Sequence, residues 1–503
     1  MLVFLACCLI GAVNGARYSK DVIQALSLAG ENSRELKKAL DYYRKKPADS
    51  LKYKAACFLI ANMSCHNSRM YYWIDSIGNR VPFDEFSYPD FKSAVAAFKK
   101  ISLKNKLKPQ VYINDDLHNM TADYLIENIE EAFALKSKPW ARYLTFNQFC
   151  EYLLPYRFLD EAYSEWRKSY YTIYGLMAAP HGTKTIRDLS AVMGDSLRNN
   201  FYNEYDANAS SAEPVLLSPK QLIFRNQGGC ADIANWAGYV FRSLGVGTAI
   251  DFTPAWAAST GSHYWNVTFG EHGETIPFFI KSGDSPIRFY LNTEPSKVLR
   301  VTYSIQKKTL AAQLPAEEIP EGHMRLKNYL DITRDYWMVS NMSVALDSKV
   351  GKVAYISVLN GLTWRPVWWG WINKNEVTFN DLTCGVVYLP MLFQKGRLTP
   401  VAYPHLLRPN NRVEVLKPNM NRLQTIRLTE QKKYLIFRLG KKYTLYVWMN
   451  NNWTSVGVKT ATDLMPLVFN QVPTNALFLL VPEYSGGKER PFTITPNGER
   501  EWW

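Results

Sequence analysis

The sharpest chemical signal in the chain is Cys230. It follows Arg225-Asn226-Gln227-Gly228-Gly229 and precedes Ala231-Asp232. It opens an amphipathic run with apolar positions at Ile233, Ala237, Val240, Phe241 and Leu244, closed by Gly245 as a helix stop. Two glycines let the backbone turn tightly and leave space beside the next residue. A thiol in the first turn of a helix faces unpaired N–H groups and the positive end of the dipole, and both favour the reactive thiolate. The same N–H groups could hold a tetrahedral oxyanion. The plain alternative is a buried structural cysteine, although Gly-Gly-Cys is an uncommon way to start a helix for packing alone.

A cysteine nucleophile needs a base, usually histidine, held by a third group. Of seven histidines, His263 stands out in Ser262-His263-Tyr264-Trp265-Asn266-Val267. It starts a predicted strand after a loop, Ala257–Gly261, that reads as flexible. It lies 33 residues beyond Cys230, with one helix and one predicted strand between. Around this pair, Gln227 and Gly229 are candidates for oxyanion support, and Trp265 for shielding the histidine from water. A solvent-facing Gln227 and a core Trp265 are their plain readings. Arg225 and Asp232 are expected to brace the helix start.

The Arg-x-x-Gly-Gly-Cys helix followed by a His-x-Trp strand resembles the core of the transglutaminase-like superfamily over about residues 220–285. Ala56–His66, Leu154-Pro155-Tyr156-Arg157 and Trp166-Arg167 resemble, more loosely, large secreted bacterial members. The resemblance implies a papain-like arrangement of Cys on a helix and His and Asp on adjacent strands. One departure stands: the strand after His263 reads Pro277-Phe278-Phe279, with no acid. If Glu271–Glu274 form the hairpin loop, residue i pairs with residue 545 − i, so His263 faces Ser282 and Asp284 is its diagonal neighbour. Asp284 is therefore the proposed orienting acid, against the alternative of a solvated turn residue. Without an acid the pair would be a weaker dyad or a catalytically dead binding fold.

The elements that must position these residues divide the chain. Residues 1–16 read as a signal peptide or lipoprotein signal, with Cys7 as the lipidated residue in the second case. Residues 17–210 form a helical N-terminal region, with apolar residues at helical spacing in Val22–Tyr43, Tyr53–Met63, Phe91–Lys100, Ala122–Ser137 and Asp160–Tyr174. Residues 211–310 form the transglutaminase-like core, with strands Thr248–Phe252, His263–Phe269, Thr275–Ile280 and Val298–Tyr303. A β-sandwich-like module over 325–415 and a second β module over 421–503 follow. The fold class is α+β.

Bulk composition narrows the partners. The 503 residues carry a net charge of +14, but the basic residues are scattered. No basic stripe interleaved with aromatics is present, so nucleic acid is not expected. Clusters such as Lys99-Lys100 with Lys104, Lys106 and Lys108 are either solvated surface or a means of attracting anionic glycans. Trp364, Trp368, Trp369, Trp371, Trp502 and Trp503 could stack on sugars or fill cores. Five cysteines remain after the signal, odd in number and widely spaced, so no disulfide scaffold is expected; Cys57 and Cys65 are about 12 Å apart along one helix, too far to bridge unless it breaks near Asn62. No metal-ligand spacing is visible, and no metal or organic cofactor is implied. Of six N-x-S/T sequons, one is Asn266-Val267-Thr268, beside the histidine. The expected function is exported, thiol-dependent acyl transfer on protein or peptide amides, with hydrolysis favoured over cross-linking. The rival is an inactive transglutaminase-like protein that binds glycans or proteins through its β modules, and membrane contact is expected only through lipid at Cys7.

Overall fold

The computed structural model describes residues 18–178, 185–198, 200–201, 214–280, 291–346, 351–431, 435–462 and 466–503. The single helix expected over Val22–Tyr43 is two, α1 (Lys20–Leu28) and α2 (Ser33–Arg44), because Gly30 takes a left-handed φ of 56° between them. The Ser19 hydroxyl caps the first by accepting from Val22 N–H. With α3 (Ser50–Asn62) they bury Val22, Leu36, Leu40, Leu59 and Ile60 in one core.

The N-terminal region is not purely helical. Strands β1 (Asn67–Ile74), β2 (Arg80–Val81) and β3 (Lys108–Asp115) form an antiparallel sheet in the order β2-β1-β3, with α4 (Phe91–Asn105) between β2 and β3 in sequence. β3 is mostly exposed, and the half-buried β1 fully buries only Ser68 and Trp73, so the sheet lacks the buried alternation that marks a strand in sequence. Four helices follow: α5 (Asp116–Asn119), α6 (Ala122–Ala134), α7 (Phe146–Tyr152) and α8 (Arg167–Ala178). The helix expected from Asp160 starts only at Arg167, because Glu161 is drawn into the core instead. Its carboxylate accepts from the N–H groups of Phe158 and Leu159 and from the Tyr239 hydroxyl.

Next come α9 (Ile186–Leu197), α10 (Pro219–Arg225) and α11 (Cys230–Ser243). Every residue of α11 from Ile233 to Ser243 is buried. It packs on a five-stranded antiparallel sheet in the order β6-β5-β4-β7-β8, built from β4 (Thr248–Thr253), β5 (His263–Phe269), β6 (Thr275–Phe278), β7 (Leu299–Val301) and β8 (Tyr329–Asp331). The sheet is covered on both faces. Ile250, Phe252 and Phe278 pack with α11, whereas Ala249, Val267 and Phe269 join the core of the N-terminal helices. Burial on both sides makes β4 buried at all six positions.

A short helix, α12 (Thr333–Tyr336), leads into eight more strands: β9 (Val339–Ala345), β10 (Val353–Asn360), β11 (Thr363–Asn373), β12 (Glu376–Thr383), β13 (Val386–Gln394), β14 (Arg397–Pro400), β15 (His405–Leu407) and β16 (Val413–Val415). Their order is β16-β15-β13-β10-β11-β12-β9, with β14 on β13. Two smaller sheets close the chain. One pairs β17 (Asn419–Leu428) with β20 (Leu467–Thr474). The other runs β19-β18-β21-β22-β23, from β18 (Lys442–Met449), β19 (Asn452–Thr460), β21 (Phe478–Pro482), β22 (Pro491–Ile494) and β23 (Arg500–Trp502). Between β17 and β18 the described residues hold an isolated bridge, Gln431 to Leu435. The fold is α+β, helix-rich in the first half and strand-rich in the second.

Candidate functional site

Cys230 is the first residue of α11, and Gly229 is its N-cap. The Asp232 carboxylate closes the turn by accepting from Gly229 N–H at 3.0 Å and from Leu217 N–H at 3.1 Å. The two glycines have different reasons. A Cβ on Gly228 would lie 2.5 Å from the Asp232 Cβ, so only glycine fits; one on Gly229 would make ordinary contact with the Asp232 carboxylate at 3.8 Å. Asp232 braces the helix start as expected. Arg225 instead makes a two-pronged ion pair with buried Glu85, at 2.7 and 2.8 Å, tying α10 to the segment between β2 and α4.

The thiol differs from expectation in one respect. Burial pushes the Cys230 thiol up from its ordinary value, and the nearby Asp232 charge adds to this. Main-chain N–H groups of Tyr264, Ala231 and Cys230 itself pull the other way and do not prevail. The helix-end effect is thus present but outweighed. The same facts place the sulfur against the backbone of Tyr264, the neighbour of His263, and beside donors at the start of α11. Asn266 reinforces this seam, its side-chain amide donating to the Ala234 carbonyl at 2.9 Å. Asn266 is fully buried, which leaves no room for a glycan at that sequon.

His263 begins β5 as expected. Its ring sits among three aromatics: Trp256 at 6.0 Å, Trp265 at 5.9 Å and Phe279, edge-on, at 4.8 Å between ring centres. Trp265 is fully buried and is tied down from behind. Its indole N–H donates to the Tyr336 hydroxyl at 3.0 Å, and that hydroxyl donates to Asp251 at 2.7 Å. Arg300 clamps the same carboxylate at 2.8 and 2.9 Å. Asp251 is opposite Trp265 in the ladder, and both its oxygens are engaged in positioning this network.

Asp284 lies outside the described residues, and the register that pointed to it is shifted. The observed pairs, Asn266 with Phe278 through Phe269 with Thr275, sum to 544, one less than 545. Gly270 N–H bonds the Glu274 carbonyl at 2.8 Å, leaving a three-residue loop whose Gly273 has φ 81°. A glycine in that conformation shortens the loop by one residue, and a one-residue slip exchanges the faces of a strand.

The Ala257–Gly261 loop is not loose. Asn360, at the end of β10, holds it with four hydrogen bonds: its amide donates to the carbonyls of Trp256, Ser259 and Gly261, and its oxygen accepts from Gly261 N–H. Sequence reasoning missed Trp256, Phe279, Tyr336, Asp251 and Asn360. The pairing of Asp251 with Trp265 followed from the strand register; the contact of Asn360, a hundred residues distant, left no sequence signal. Gln227 is half-buried, three residues before the thiol. Among the described residues no group of His, Cys, Asp and Glu is arranged to hold a metal ion, and the five described cysteines are free.

The looser motifs have structural roles. Arg157, Arg167 and Arg242 are almost fully buried and satisfy backbone carbonyls: Arg167 those of Leu153, Leu154 and Pro155, and Arg242 those of Tyr152, Arg157 and Thr248. Arg157 also pairs with buried Asp116 at 3.2 Å. They bind the 153–161 segment to α8 and α11. Among the tryptophans, Trp364 packs with Trp448 and Trp453 between the C-terminal sheets, and Trp368 faces the Lys297 ammonium, whereas Trp371 is exposed.

No family model matches the sequence, and no curated protein matches it. Among solved structures, a red sea bream transglutaminase aligns over 88% of this chain and 78% of its own, at 9% identity and a TM-score of 0.21. So slight a likeness carries no residue roles across, and the reading of the site rests on its own geometry.

Proposed function

We propose that the chain is a thiol-dependent acyl-transfer enzyme acting on protein or peptide amides, with Cys230 as nucleophile and His263 as base. The observation that supports it most is the seam between α11 and β5, where the Cys230 sulfur meets the backbone adjoining His263 beside helix-end N–H donors. Cys230 would attack the amide carbonyl, His263 would take the thiol proton and return it to the departing amine, and water would release the acyl group from the thioester. N–H groups at the start of α11 would receive the oxyanion. Burial raises the thiol above its ordinary range and so disfavours the thiolate, which means attack has to be coupled to proton removal. Hydrolysis over cross-linking and export belong to the same reading, whereas Asp284 as orienting acid loses the register that had pointed to it.

The test is the pH dependence of iodoacetamide alkylation at Cys230, read peptide by peptide, in wild type and His263→Ala. The expected result is alkylation below pH 8 in wild type that falls in the variant by about tenfold or more. Equal rates in the two proteins would discard the catalytic pair and leave a binding protein built on the same scaffold.

A further inference from the structure

A second cavity has neither Cys230 nor His263 in its lining. Between the β1–β3 sheet, α4 and α10 is a cavity of about 370 Å³, walled by Tyr72, Trp73, Phe83, Phe91 and Phe98. That volume falls in the range of small-ligand sites. The rings pack against one another, Trp73 with Phe98 at 4.6 Å and Phe83 with Phe98 at 5.0 Å, so the wall is formed without a ligand.

The charges around it are unequal in availability. Both acids in the lining are already engaged. Asp84 accepts from Phe86 N–H and from the Ser87 hydroxyl, and Glu85 accepts from Arg225 and Gln221. The Arg80 guanidinium lies over the Tyr72 ring at 4.8 Å, and among the described residues neither Arg80 nor Lys99 makes an ion pair. What remains is an aromatic wall with unneutralised cations. Such a wall fits a planar ring on its faces, and the cations fit one negative charge. A sugar acid fits less well, because its hydroxyls need hydrogen-bond partners and the carboxylates that could serve are occupied.

We propose that this cavity binds a small aromatic acid, its ring against Trp73 and Phe98 and its carboxylate toward Lys99 and Arg80. The probe is indole-3-acetate, titrated calorimetrically into the full chain, with indole-3-acetamide as the uncharged counterpart. Expected is saturable binding at one site, with the amide and the Lys99→Glu variant each weaker by about tenfold and the difference shrinking as salt rises. Lys99 is exposed, so the variant is expected to keep the wild-type circular dichroism. Prior alkylation of Cys230 is expected to leave the affinity unchanged, so this site and the thiol chemistry succeed or fail separately. The proposal is overturned by any of three results: no saturable binding, equal affinity for acid and amide in both proteins, or galacturonate binding where the indole acid does not.

Discussion

At the residue scale, Cys230 and the buried groups behind His263 decide what can be tested. Asp251 is fully buried between Arg300 and Tyr336, so its partners are not equivalent. Tyr336→Phe removes one hydrogen bond to the carboxylate and the acceptor of the Trp265 indole; the expected loss is about 1–3 kcal/mol in a denaturant melt. Arg300→Met strands the charge and is expected to cost about 3–5 kcal/mol. Equal effects would show that the buried carboxylate does not depend on the guanidinium beside it more than on the hydroxyl. Buried histidines set the acid response. Burial holds His66 down to about 3 and His323 to about 4, from an ordinary 6.5. Each stays neutral in the folded chain while the unfolded chain takes up a proton below 6.5. Stability therefore falls as pH drops from about 6.5 toward 4 and 3, and His323→Leu is expected to flatten that part of a Tm-against-pH curve.

At the element scale, the α11–β5 seam was legible in the sequence and its surroundings were not. His263–Phe269 is a strand with the expected ends, and Cys230 opens its helix, because local pattern alone specifies both. The hairpin register failed for a local reason too: Gly273 closes a shorter loop than counting suggested. The small β1–β3 sheet was missed because its strands carry no two-residue alternation. The support of the His263 loop was invisible because it comes from β10. Asn360→Leu removes four hydrogen bonds from the 256–261 loop and is expected to speed amide hydrogen exchange there by at least about tenfold, with slower alkylation of Cys230 as a secondary effect. Unchanged exchange in the loop would show that the Trp256–Pro295 bridge suffices to hold it. Gly228→Ala forces Asp232 away from the helix start and is expected to lower Tm, while Gly229→Ala does so less, since only the first position is closed to a Cβ.

At the scale of the whole molecule, regions that look separate in sequence share their interiors. The β4–β8 sheet draws one of its two covers from the N-terminal helices, and β10 reaches back to the site loop. The second half of the chain read correctly as short aromatic strands, but their tryptophans serve chiefly as packing between sheets, where a sequence shows only aromatic content. One contact made across that distance has a consequence in time. Tyr303 donates to the Leu59 carbonyl, Ile305 N–H to the Asn62 side chain, and Ser304 to Glu151. The ends of α3 and α7 are therefore completed only by residues synthesised some 150 to 240 positions later. During synthesis the first helices wait with an open apolar face until the segment 303–305, just after β7, has emerged. A chain halted before residue 303 is expected to be bound by chaperones or cleaved rather than to persist as a folded fragment.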